Sequence, residues 1–135
     1  MAVTVDASVF VSAFSPTEPE SDKSLGFLVR LREGNDPLIL PVLVLPEVVA
    51  AVARKQGNPE LALELGQDLK NFPNLTLVAV DESLATVAVE AAARYKLRGS
   101  DAVYAAVALR YGTELVTLDR EQLERLPAAL TVREP

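Results

Sequence analysis

Cysteine and histidine are both missing from this 135-residue chain, and tryptophan is missing with them. Without thiols there is no disulfide, no thiolate metal site and no thiol nucleophile. Without imidazole, histidine general bases, Ser-His-Asp triads and His-ligated zinc are excluded. Any catalysis must run on Asp, Glu, Ser, Thr, Lys, Arg, Tyr and bound ions. Aromatic residues make up only 5% of the chain while apolar residues make up 50%, so a core must be built from Val, Leu and Ala. No apolar stretch reaches the ~20 residues that span a bilayer. The opening Met-Ala-Val-Thr-Val-Asp lacks the basic start and apolar run of a secretory signal. A cytoplasmic protein with no membrane association is expected.

Positive charge is also in short supply. There are 19 acidic and 13 basic residues, for a net charge of −6. That balance argues against holding nucleic acid by bulk electrostatics. Four clustered carboxylates binding two divalent ions would gain +4, taking −6 to about −2. The acidity is compatible with a metal-loaded enzyme that selects one substrate.

The length fits one domain, residues 1–135, burying roughly 68% of the surface of the unfolded chain. No repeat, low-complexity segment or linker interrupts it. Short apolar runs at Val3–Asp6, Leu38–Leu40, Leu75–Val80 and Glu114–Leu118 read as strands, with a possible last strand at Leu130–Val132. A brief helix or turn covers Ser8–Phe14, and Ser15–Asp22 reads as a loop. Helical spacing marks Lys23–Glu33, through Leu25, Leu28, Val29 and Arg32, and then Val44–Gln56, Glu60–Asn71, Glu82–Lys96 and Asp101–Tyr111. A short helix is expected around Glu121–Arg125. Asp81 is a natural N-cap, and Gly112 a natural terminator. Strands alternating with helices predict an α/β fold: three layers, with a mainly parallel central sheet of four or five strands and helices on both faces.

In such a sheet, ligands bind outside the carboxyl ends of the strands. Asp6 follows the first strand, and Asp119 follows the fourth in Leu-Val-Thr-Leu-Asp. Glu47 in Leu-Pro-Glu-Val-Val and Asp101 in Gly-Ser-Asp-Ala-Val lie near helix starts. If the four converge they form a hard, oxygen-only site for Mg²⁺ or Mn²⁺. Two such ions can activate water and stabilise a leaving oxygen without histidine or thiol. Each acid has a plainer reading. Asp6 also reads as a helix cap, Asp101 as an acid favoured by the helix dipole, and Asp119 as a turn acid before Arg120. Glu47 is harder to dismiss, because Leu45, Val48 and Val49 around it are apolar.

Four blocks together resemble the PIN domain family, and within it the VapC-type toxins of prokaryotic toxin–antitoxin pairs. They are Val-Asp-Ala-Ser-Val-Phe at 5–10, Pro-Glu-Val-Val-Ala at 46–50, Leu-Arg-Gly-Ser-Asp-Ala-Val-Tyr-Ala-Ala-Val-Ala-Leu at 97–109 and Leu-Val-Thr-Leu-Asp at 115–119. The third is the most specific, and the resemblance spans essentially the whole chain. It implies a Mg²⁺- or Mn²⁺-dependent endoribonuclease, commonly a homodimer and commonly silenced by a cognate antitoxin peptide. It assigns Asp6, Glu47, Asp101 and Asp119 as catalytic and metal-holding acids, with Ser8 and Thr117 as supporting hydroxyls. Local backbone bonding is the plainer role for both hydroxyls.

Arg98 and Arg120 flank two of the acids and are candidates to hold an RNA backbone; Arg94 and Lys96 read as solvated charges. Tyr95, Tyr104 and Tyr111 recur at helical spacing and read as packing residues. Apolar faces on the helices at 44–56 and 60–71 serve either the core or a subunit contact. Two alternatives remain: a DNA or flap nuclease using the same acids, and a PIN-like binding module without catalysis. No G-x-G-x-x-G or P-loop is present.

Overall fold

The computed structural model describes residues 1–135. Its elements run β1 (Val3–Val5), α1 (Ala7–Ala13), α2 (Ser21–Glu33), β2 (Leu38–Pro41), α3 (Val44–Gln56), α4 (Pro59–Lys70), β3 (Leu75–Val78), α5 (Glu82–Tyr95), α6 (Gly99–Tyr111), β4 (Glu114–Val116), α7 (Arg120–Arg125) and β5 (Val132–Arg133). The five strands form one parallel sheet in the order β3-β2-β1-β4-β5. This is the three-layer α/β architecture expected from the alternation of strands and helices. The chain adds β2 and β3 on one side of β1, then returns to add β4 and β5 on the other. The strand order therefore reverses between β1 and β4. In α/β sheets such a switch point is where connections diverge and a crevice forms at the carboxyl edge.

The elements have local causes. All of β1 is buried, as a central parallel strand covered on both faces should be. Pro46 sits in the first turn of α3, where amides lack intrahelical partners. Asn58 and Asp81 cap α4 and α5 by accepting bonds from the Leu61 and Leu84 amides at 3.1 and 2.9 Å. Gly57 and Gly112 end α3 and α6 in the left-handed conformation. Gly66 lets α4 press onto α3, because a Cβ there would lie 2.5 Å from Val49 Cγ2.

The core is aliphatic, built on Val5, Val9, Leu38, Leu40, Val48 and Leu115, with Phe10, Phe27 and Tyr104 its buried aromatics. Helix α6 is its spine, packing on β1, β2 and β4, with Ala102, Ala105 and Ala106 buried against them.

Several boundaries shift. Helix α2 begins at Ser21, two residues before the expected start, and β3 ends at Val78, leaving Val80 exposed. The buried stripe of α2 is Ser21, Ser24, Phe27, Leu28 and Leu31, while Leu25 and Val29 face outward. With Phe10, Phe14 and Phe72 those two line an apolar groove of about 360 Å³ beside α1 and α4. The apolar faces of α3 and α4 are largely spent on each other and on the core, although Leu63 stays exposed. No helix is long and apolar enough to cross a membrane.

Candidate active site

Asp6 and Asp119 flank the switch point, each just past the end of a strand. Asp6 caps α1, its Oδ2 accepting the Ser8 amide at 3.2 Å, and Asp119 caps α7, its Oδ2 accepting the Gln122 amide at 3.0 Å. Capping leaves each carboxylate a second oxygen turned elsewhere, Asp6 Oδ1 toward Gln122 and Asp119 Oδ1 toward Arg98. Asp101 lies in the first turn of α6 and Glu47 in the first turn of α3. Helix amino ends favour carboxylates there.

The hydroxyls tie side chain to backbone, and only Thr117 also reaches a carboxylate. Thr117, fully buried, donates to Asp6 Oδ2 at 3.2 Å and accepts the Asp119 amide at 2.9 Å. Ser8 Oγ accepts the Leu118 amide at 3.0 Å and lies 3.5 Å from Thr117 Oγ1. These bonds clamp the ends of β1 and β4 together, so Asp6 and Asp119 are held on one rigid frame.

Electrostatics ties the acids into one field. Burial pushes the Glu47 carboxyl above its ordinary range, and the charges of Asp6 and Asp101 push the same way against a hydrogen bond from Tyr104. Burial also raises Asp101, helped by Asp6 and Asp119 and opposed by Arg98. The acids do not meet at one point, however. No three acidic side chains are drawn together tightly enough to hold one ion. Arg98 stands between two of them, with Nε 2.9 Å from Asp101 Oδ2 and Nη2 2.9 Å from Asp119 Oδ1. The structure therefore brings the four into a common electrostatic neighbourhood and leaves the final convergence unmade.

Two further residues join the site that sequence reasoning did not assign to it. Tyr104, only 1% exposed, donates to Glu47 Oε1 at 2.6 Å. Burial, together with that carboxylate, raises its phenol far above the ordinary tyrosine range, so it is a permanent donor. The signal was its place one turn after Asp101 on a helix with apolar faces all round. Gln122 is fully buried with Nε2 3.5 Å from Asp6 Oδ1 and Oε1 without a partner. Its spacing of three from Asp119 was the only clue. The other tyrosines divide: Tyr95 is half-buried against the core, and Tyr111 is exposed. Arg98, a candidate for the RNA backbone, pairs with Asp101 and Asp119 in this structure; Arg120 is exposed and makes no side-chain bond.

The donor set fits a hard divalent cation. It is oxygen-only and negatively charged well beyond its single guanidinium.

The fold is a parallel α/β sheet with acids beside its strand-order reversal. The chain matches the PIN domain model over residues 3–128 and belongs to the PIN domain family. Among solved structures it resembles VapBC2 from Rickettsia felis bound to a promoter DNA fragment, at 16% identity, covering 100% of this chain and 99% of that one with a TM-score of 0.75. It also resembles VapC20 of Mycobacterium tuberculosis, a Sarcin-Ricin loop cleaving toxin, at 18% identity, 98% and 99% coverage and a TM-score of 0.77. FitAcB from Neisseria gonorrhoeae aligns at 19% identity, 98% and 97% coverage and a TM-score of 0.71. At these identities the likeness is one of fold. Curated protein sequences yielded no match.

Proposed function

We propose that this chain is a Mg²⁺- or Mn²⁺-dependent endoribonuclease, the toxin of a VapBC-type toxin–antitoxin pair. One observation supports the reading: carboxylates from four separate elements lie within one another's electrostatic reach, and Asp6 and Asp101 are buried with too little positive charge to offset them. Fully compensated structural acids would not press one another's carboxyls upward.

Asp6, Glu47, Asp101 and Asp119 would hold the ions, which when bound supply an activated water and neutralise the leaving oxygen. Thr117 fixes the rotamer of Asp6, and Tyr104 fixes that of Glu47. Arg120 is free to meet a substrate phosphate at the rim. RNA as the substrate draws support from the likeness to a toxin that cleaves the Sarcin-Ricin loop. An antitoxin partner draws support from the likeness to VapBC assemblies, and the apolar groove of Phe10, Phe14, Leu25, Val29 and Phe72 suits the apolar face of such a peptide. A homodimer belongs to the same reading.

The test is cleavage of total cellular RNA with Mn²⁺, mapping new 5′ ends against Asp6→Asn and against chelated protein. Discrete cuts that vanish in both controls are expected. Cuts on DNA alone would replace the substrate, and cuts that survive chelation would end the metal mechanism. Folded protein that neither cuts nor binds Mn²⁺ would be a binding module.

A further inference from the structure

Arg98 precedes α6 with an extended backbone and makes no capping bond of its own. Its side chain is thereby left to fold over the first turn, where Asp101 lies three residues on, and to reach across to Asp119 on a different element. Both contacts are 2.9 Å, and they use two different nitrogens of the guanidinium. A fork that spans two carboxylates is a geometry that arginine supplies and lysine does not.

The two ends of these pairs differ sharply in burial. The arginine side chain is 68% exposed, while the Asp101 and Asp119 side chains are 10% and 16% exposed. The acids are fixed in the frame, and the cation is an exposed arm laid over them from solvent. Asp101 is held by α6 and Asp119 by its cap on α7, so an exchange of cations moves only Arg98. The carboxylate oxygens that Arg98 contacts, Asp101 Oδ2 and Asp119 Oδ1, are the ones not used for capping bonds to backbone.

Resting on the proposed metal-dependent function, we infer that Arg98 is a resident counter-cation that a divalent ion must displace, and that the freed guanidinium then takes the phosphate of the incoming RNA. In the metal-free protein Arg98 neutralises Asp101 and Asp119 and holds them apart, which explains why the acids share a field without meeting at a point. When the same carboxylates turn to an ion of charge +2, the arm is released at the mouth of the crevice. Its five donors then suit a phosphodiester, which arginine can hold through two oxygens. Metal loading and substrate binding are thus coupled through one side chain, and an ion-free site presents no free Arg98 to RNA.

The opposed signs of the two steps make the inference testable without reference to turnover. Mn²⁺ is titrated into wild type, Arg98→Gln, Arg98→Lys and Asp101→Asn, with free ion followed by its electron paramagnetic resonance signal. Affinity for a cleavage-resistant phosphorothioate RNA is then measured at saturating Mn²⁺. Arg98→Gln is expected to bind Mn²⁺ roughly threefold to thirtyfold more tightly, the equivalent of removing two partly exposed ion pairs, and to bind the RNA more weakly. Arg98→Lys, a point charge that cannot bridge both acids, should fall between wild type and Gln in Mn²⁺ affinity. Arg98→Gln with unchanged or weakened Mn²⁺ binding overturns the counter-cation, and unchanged RNA affinity overturns the phosphate contact. If Asp101→Asn binds Mn²⁺ as wild type does, or wild type binds none, the proposed metal site fails and this inference fails with it.

Discussion

The two edges of the sheet solve the same problem differently. At the amino edge, acids are matched one for one with cations from elsewhere in the chain. The Met1 ammonium lies 3.1 Å from Asp36, and Arg133 Nη2 lies 2.9 Å from Glu114. Each of these groups has access to water, which could replace either partner at little cost. At the carboxyl edge only Asp101 and Asp119 of the four carboxylates are paired with a guanidinium, and Asp6 and Asp101 are buried. Excess charge of one sign in a half-buried crevice destabilises the fold. The amino edge is what acids look like when they serve the fold. The carboxyl edge is what they look like when the fold serves them.

Neutralising one acid at the carboxyl edge separates the two roles most strongly. Asp101→Asn should lower RNA cleavage by at least about a hundredfold, the usual weight of an electrostatic group at a reacting centre. Its effect on stability should run the other way. Glu47 and Asp101 are raised from ordinary values of 4.5 and 3.8. A raised carboxyl favours the proton in the folded state, so its stabilisation is complete below the ordinary value and is lost as pH rises through the raised one. The metal-free wild type should therefore lose melting temperature as pH climbs out of the ordinary carboxylate range. Asp101→Asn should drift less and melt no lower at neutral pH. A variant that melts several degrees lower with the drift intact would mean that Asp101 is a structural acid like those at the amino edge.

Tyr104→Phe probes the same edge one shell out, and its effect should be smaller. The ring stays in its buried place and only the donor to Glu47 is lost. Removing an outer partner of a metal-holding group typically costs about 10- to 100-fold in metal affinity, so Mn²⁺ binding should weaken in that range while circular dichroism is unchanged. Retained Mn²⁺ affinity would show that Glu47 needs no anchoring, or lies outside the ion's reach.

Local features were legible in the sequence, and cross-chain ones were not. Helix α3 runs from Val44 to Gln56 as its spacing predicts, and Asp81 and Gly112 act as the cap and stop they resemble. The four acids were readable because strand ends and first helical turns are local places. Arg98 shows the limit. Its pair with Asp101 lies at a helical spacing of three, but Asp119 is 21 residues away and reaches it because α6 packs back along β4. Helix α2 shows another limit. It carries two apolar stripes, and periodicity alone does not say that Phe27 and Leu31 go inward while Leu25 and Val29 remain outside. The last strand, expected at Leu130–Val132, forms at Val132–Arg133, where β4 offers partners at Leu115 and Val116.

The smallest expected effect comes from the other edge, and it sharpens the comparison as much as the largest. Arg133 sends both Nε and Nη2 to the single Oε1 of Glu114, at 3.2 and 2.9 Å, and its guanidinium lies 5.4 Å from the centre of the Phe27 ring. Exposed pairs of this kind contribute about 0.2–1 kcal/mol, and an exposed cation–ring contact adds about as much. Arg133→Ala should therefore cost about 1 kcal/mol in urea unfolding, less at high salt, and leave both cleavage and Mn²⁺ affinity at wild-type values. A larger loss of stability would mean that the short β5 depends on this side chain rather than on its backbone pairing. A loss of cleavage at wild-type stability would mean that the edges are not independent and that strain at β5 travels through β4 to Thr117 and Asp119.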